Sequence, residues 1–229
     1  MKKLLNYFTK FEIGLWNSSV LIIIATFFIF EEKNYLTLIA SLIGATFLIL
    51  NAKGNPLGQF LTIVFSLLYG IISYRFDYYG EMITYLCMSM PIAIIALISW
   101  LKNPYKGNKS EVAVNNISKK ETVFMTILAT IVTIIFYYIL KYFNTANLIP
   151  STLSITTSFL ASYLTFRRSP YYALFYAAND IVLIVLWVLA SITDISYLSV
   201  VICFIVFLVN DLYGFINWRR MEKRQKNNM

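Results

Sequence analysis

The chain has 229 residues, of which 59% are hydrophobic and only 13% are charged, with a formal net charge of +8. No soluble domain of that length can hide so much apolar surface, so lipid must cover much of it. The lack of histidine removes His-based triads and His metal sites, and the long unbroken apolar runs argue for helices over a β-barrel, whose strands would alternate.

In chain order, eight spans are predicted, at about 12–30, 35–51, 57–74, 79–101, 122–142, 148–166, 171–191 and 195–218, each with roughly the 17–25 residues a crossing needs. Lys2, Lys3 and Lys10 precede the first, which ends at Phe30-Glu31-Glu32-Lys33 with no small-x-small cleavage pattern. It reads as a retained helix and not as a signal peptide. The stretch 102–121, KNPYKGNKSEVAVNNISKKE, is the one long hydrophilic segment and divides the chain into halves. Cys87 and Cys203 each stand alone inside an apolar span and read as small buried hydrophobes. With the N-terminus inside, sixteen of the nineteen Lys and Arg fall on one side, and Lys33, Arg75 and Lys141 are the exceptions. The positive-inside rule then predicts a multi-pass protein of the cell (inner or plasma) membrane with both termini cytoplasmic. It also accounts for the basic charge without nucleic acid as a partner.

Shifting the second half back by 118 residues brings Tyr197 onto Tyr79 and Trp218 onto Trp100. The shift spans four helices, so the two repeats point the same way across the membrane. The fold class is therefore an all-α membrane protein: a single transmembrane domain with two parallel three-helix repeats and a connector helix. The predicted parts are an extra N-terminal helix (12–30), repeat one (35–101), loop and connector (102–147), repeat two (148–218) and a basic cytoplasmic tail (219–229). Parallel repeats are one transporter architecture, with the substrate site near the midplane between them.

Two carboxylates sit mid-span at Asn179-Asp180 and Asn210-Asp211. An acid there is costly and is normally kept beside a cavity, a partner or a substrate. Phe175, Tyr176, Asn179 and Asp180 share one broad face of the seventh helix, and Asn210, Tyr213 and Asn217 recur at helical spacing on the eighth, beside Gly214. In the first repeat Asn55, Gln59, Thr62, Ser66 and Tyr69 do the same. Such a lining suits a flat heterocycle carrying hydroxyls. Hydrogen bonding between helices is the competing reading of the same polar residues. No catalytic constellation and no ATP-binding motif is visible, so an enzyme is not expected. An intramembrane enzyme and a non-catalytic scaffold are the alternative classes.

The stretches FRRSPYYALFYAAN (166–179) and NDLYGFINWRR (210–220), with a weaker echo in LLYGIISYRFDYYGEM (67–82), resemble the PnuC-type vitamin transporters. The resemblance in organisation covers about residues 35–220. It implies a three-plus-one-plus-three bundle, a central substrate site, no cofactor or metal, and often a homotrimer. It also implies facilitated diffusion of nicotinamide riboside, with a cytoplasmic kinase trapping the product; thiamine, riboflavin or a deoxynucleoside are the alternative cargoes. On that resemblance Phe175 is expected to stack on the substrate ring and Asn179 to bond it. Asp180 is then expected to favour a delocalised cation.

Overall fold

In the computed structural model, residues 7–30, 35–75, 79–145, 147–192 and 195–228 are described. Lys2, Lys3, Lys33 and Phe76 to Tyr78 lie outside them, so the expectations resting on those residues have no structural counterpart. Eight long helices follow one another: α1 Lys10–Ile29, α2 Tyr35–Ala52, α3 Pro56–Arg75, α4 Tyr79–Lys102, α5 Lys119–Tyr142, α6 Leu148–Phe166, α7 Tyr172–Ser191 and α8 Leu198–Asn227. Their starts carry readable signals. Thr9 accepts from Glu12 N–H while Glu12 reaches back to Thr9 N–H, a reciprocal capping box at α1. Ser118 caps α5 through Glu121 N–H. Gly54, at φ +66°, turns the chain between α2 and α3 where a side chain would be strained. Helix α4 is not uniform: Thr84–Ser89 form a π-turn between Tyr79–Ile83 and Met90–Lys102.

Seven of these helices are long and apolar enough to cross a membrane. The exception is α6, whose serines and threonines dilute its apolar character. Its Thr152, Thr156 and Thr165 hydroxyls donate to carbonyls four residues earlier, which satisfies them within the helix. The span count of eight is thus matched in helices, with α6 packed between α5 and α7 in the bundle.

The packing is consistent with two parallel repeats. Helices α2, α3 and α4 form one bundle, and α6, α7 and α8 the other. They close on each other reciprocally, α8 against α2 and α4 against α6. The two tryptophans that mark the repeat meet at this closure, their rings 5.4 Å apart. Trp100 Nε1–H donates to the Thr165 carbonyl at the end of α6, and Trp218 Nε1–H to the Asn51 carbonyl at the end of α2 (2.9 and 2.8 Å). Helix α5 packs on α6, and α1 packs on both α2 and α8.

The hydrophilic segment and the basic tail are both built into the fold. Segment 102–121 forms a small antiparallel hairpin, β1 Pro104–Tyr105 and β2 Asn108–Val112. Val112 N–H donates to Gly54 O in the α2–α3 turn, and Asn115 bonds the Arg167 and Arg168 carbonyls in the α6–α7 turn. One segment therefore ties the same ends of both repeats. The basic tail continues as α8, and Gln225 bonds Val112 O, Val114 N–H and Glu111. Glu222 offsets part of its charge through Arg219 and Lys226.

Candidate functional site

Halfway along the bundle a cavity lies between the two repeats. Repeat one lines it with Asn51, Gln59, Thr62 and Ser66, and repeat two with Tyr172, Tyr176, Asn179, Asp180 and Asp211. It holds about 80 Å³ open to water-molecule centres. That is room for roughly five waters, so a nucleoside-sized solute needs side chains around it to yield.

The repeat-one wall is neutral and internally bonded. Gln59 Nε2 donates to Asn51 Oδ1 at 2.9 Å. Gly58 makes this possible: a Cβ there would stand 2.3 Å from Asn51 Oδ1. In the repeat-two wall, Asn179 Oδ1 accepts from Ser154 and Thr157 of α6 (3.1 and 2.8 Å), which aims its amide. The Tyr176 hydroxyl pairs with Ser162 at 3.1 Å. Asp180 and Asp211 lie within hydrogen-bond reach of each other. Asp180 Oδ2 is buried without a partner. Among the described residues, no Lys or Arg lines the cavity.

Two aromatic layers bound it. Towards the hairpin end, Tyr172 packs edge-on against Trp218, 5.0 Å between rings, above the tryptophan pair. Towards the other end, Phe65, Phe204 and Phe207 separate it from an outer chamber. Thr26, Ser41, Tyr69 and Cys203 help to line that chamber. Gly44 makes the seat for Phe207, since a Cβ there would meet its ring at 2.4 Å.

The structure brings together Gln59, Tyr176, Asn179, Asp180 and Asp211, and places the other sequence candidates elsewhere. Phe175 lines a lateral groove between α5, α6 and α7, with Met125, Leu160 and Tyr171. It lies 100° around the helix from Tyr176, and the α5–α6 contact claims that side. Asn210 donates to Ser19 of α1 at 2.9 Å. The Tyr213 hydroxyl donates to Glu12 at 2.7 Å, and Asn217 to the Ala52 carbonyl at 2.8 Å. That polar stripe of α8 is the seam against α1 and α2, so the helix-bonding reading holds there. Gly214 packs against Ala173 and Ala52 and leaves no room for a ligand. Tyr69 lies in the outer chamber, against Tyr85 at 4.6 Å. Asn55 bonds Tyr7 at the hairpin end. The sequence reading missed Asn51, Tyr85, Ser158 and the phenylalanine layer. Asn51 was legible only as a polar residue at a helix end, and the phenylalanines look like any apolar residues of a span.

A membrane-embedded helical bundle with a central cavity between two repeats, lined by apolar rings together with amides, hydroxyls and two acids, defines a carrier of small solutes. The chain belongs to the family described as nicotinamide mononucleotide transporters, whose model matches residues 34–220. It is 25% identical over 228 residues to the nicotinamide riboside transporter PnuC of Neisseria mucosa, covering 97% of this chain and 86% of the relative. To the protein of the same name from Haemophilus influenzae it is 24% identical over 192 residues, covering 83% and 82%. Its fold matches the crystal structure of the vitamin B3 transporter PnuC with a TM-score of 0.81 at 21% identity, over 95% of this chain and 94% of that one.

Proposed function

We propose that this transporter carries nicotinamide riboside, the phosphate-free cargo named for its relatives, and not the mononucleotide of the family description. The observation that supports this is the cavity's charge: two acids and, among the described residues, no Lys or Arg. A phosphate placed there would meet carboxyl groups with nothing to offset its desolvation. A riboside presents hydroxyls and a cationic ring instead. The Asn51–Gln59 pair and Asn179 suit the hydroxyls, Tyr172, Tyr176 and Tyr85 the ring, and Asp180 its charge. Phe175, Tyr69, Asn210, Tyr213 and Asn217 act on the substrate only through packing.

Transport is facilitated diffusion, with cytoplasmic phosphorylation trapping the riboside. The hairpin end is the cytoplasmic face of the cell membrane, because the described basic residues cluster there. A homo-oligomer, a trimer as the resemblance implies, is the proposed assembly, and it is read by mass measurement in detergent. Purified protein in liposomes should equilibrate labelled nicotinamide riboside without chemical change and leave the mononucleotide outside. Equal entry of the mononucleotide overturns the reading. Preferred entry of thiamine, riboflavin or a deoxynucleoside reassigns the cargo within the family.

A further inference from the structure

The lateral groove that holds Phe175 is larger than the central cavity: about 580 Å³ is open to water-molecule centres, against about 80 Å³. Helices α5 and α7 both pack on α6, and the groove is the slot between them over α6. It runs along α5 from Thr122 to Ile134, about 18 Å at 1.5 Å per residue. One leaflet of the hydrocarbon core is roughly 15 Å deep, so the slot reaches from the hairpin-end surface to the midplane. Nothing among the described residues covers it: Thr122, Thr126 and Thr130 are exposed. Their hydroxyls donate to carbonyls four residues earlier on α5. At the midplane end the Thr133 and Thr156 hydroxyls bond each other at 2.7 Å. These threonines thus keep their donors within the protein, and Leu160, Leu164 and Phe175 complete an apolar lining. Such a wall offers little to a polar solute and suits a hydrocarbon chain.

The mouth of the groove is cationic. Lys119 stands three positions before Thr122, and Arg168 four after Leu164, so both rows of the lining lead to a cation. Arg168 follows the end of α6 at φ +59°. It is half-buried, and its Nε has no partner. Glu121 is taken by Arg167, and Glu222 by Arg219 and Lys226. Among the described residues no acid pairs with Lys119, Lys120 or Arg168. At the rim the Arg219 guanidinium lies over the Tyr171 ring at 5.6 Å. A second copy meeting this face with its own would bring two basic mouths together, whereas an anionic amphiphile offsets the charge and fills the slot at once. We propose that the groove binds one anionic phospholipid of the hairpin-end leaflet. One acyl chain lies along α5 and α6, and the phosphate meets Arg168, Lys119 and Lys120. Basic pockets between helices at the membrane surface recognise such head groups. The lipid ties α5, the least buried of the seven apolar spans, to repeat two. The proposal is independent of the cargo.

The test is native mass spectrometry and thermal unfolding of the delipidated wild-type protein. It is titrated with phosphatidylglycerol, with phosphatidylcholine of the same chains, and with inorganic phosphate. Phosphatidylglycerol should bind one per chain and raise the unfolding midpoint. It should be preferred over phosphatidylcholine by roughly a hundredfold, about fivefold for each of the three cations, and inorganic phosphate should do neither. The Lys119→Gln/Lys120→Gln/Arg168→Asn variant, in which asparagine tolerates the positive φ, should bind the two lipids alike. Thr126→Phe fills the middle of the groove and should lose the bound lipid while riboside affinity holds. Equal affinity of the wild type for the two lipids overturns the proposal, as does undiminished binding of phosphatidylglycerol by Thr126→Phe. A midpoint rise with inorganic phosphate equal to that with phosphatidylglycerol overturns it too, leaving a surface anion site without the chain. Absence of lipid from the wild type, with loss of the homo-oligomer in Thr126→Phe, overturns it and assigns the groove to a second copy.

Discussion

The two ends of the central cavity are closed by aromatic residues of different kinds. At the hairpin end Trp100, Trp218 and Tyr172 are almost wholly buried. Both indole N–H groups donate to carbonyls of the opposite repeat, and the hairpin ties both neighbouring turns together. At the outer end Phe65, Phe204 and Phe207 meet ring to ring, with Phe47, Tyr69 and Tyr85 around them. Phenylalanine has no polar group to bond. Ring contacts are worth about 0.5–1.5 kcal/mol each and tolerate changes of geometry. A buried indole bond is directional, and breaking it strands a carbonyl at about 1–3 kcal/mol. The outer layer therefore rearranges more easily than the inner floor, although both look equally closed.

The largest expected effect falls on the floor. Trp218→Ala removes a fully buried ring and its bond to Asn51, and should cost about 3–5 kcal/mol of stability. Thermal unfolding in detergent reads this. A midpoint unchanged from wild type would break the comparison, because the floor would then be no firmer than the outer layer.

The cavity wall between them comes next. Asn179→Leu strands the Ser154 hydroxyl, leaves Thr157 only its backbone carbonyl acceptors, and removes an amide from the substrate. Riboside affinity should fall about a hundredfold, or roughly 3 kcal/mol. Equal binding by the variant would move the site away from α7.

At the outer layer, Gly44→Ala pushes a methyl into the seat of Phe207. The overpacking should cost about 1–2 kcal/mol, and the ring should turn aside. Liposome uptake should change in rate while equilibrium affinity holds. A shift in affinity equal to that of Asn179→Leu would mean that Phe207 belongs to the binding wall. The smallest effect is predicted for Phe175→Leu. It faces the lateral groove, so affinity should change by no more than about 0.5 kcal/mol. A large loss would restore the stacking role that the sequence suggested.

The α8 stripe shows why periodicity alone could not place the site. Asn210, Tyr213 and Asn217 fall on one helical face and look like a polar wall. The same spacing serves helix-to-helix bonds, because within a membrane both a ligand and a neighbouring helix demand hydrogen-bonding partners. Only the position of α1, which reaches back to bond Asn210 and Tyr213 from nearly two hundred positions away, separates the two uses. One residue along, Asp211 turns about 100° and enters the cavity. On α7 the same rotation puts Tyr176 inside and Phe175 outside.

The sequence by itself determined the helices, their number and the two mid-span acids. These follow from local chemistry: apolar length against bilayer thickness, charge against membrane sides, and the cost of a carboxyl in lipid. The tertiary structure alone decided which polar face meets the cavity. It also decided that the acids stand together, that three phenylalanines divide two chambers, and that the hydrophilic loop clamps both repeats. Each of those depends on which helices become neighbours, and a single helix carries no record of its neighbours beyond the faces it offers them.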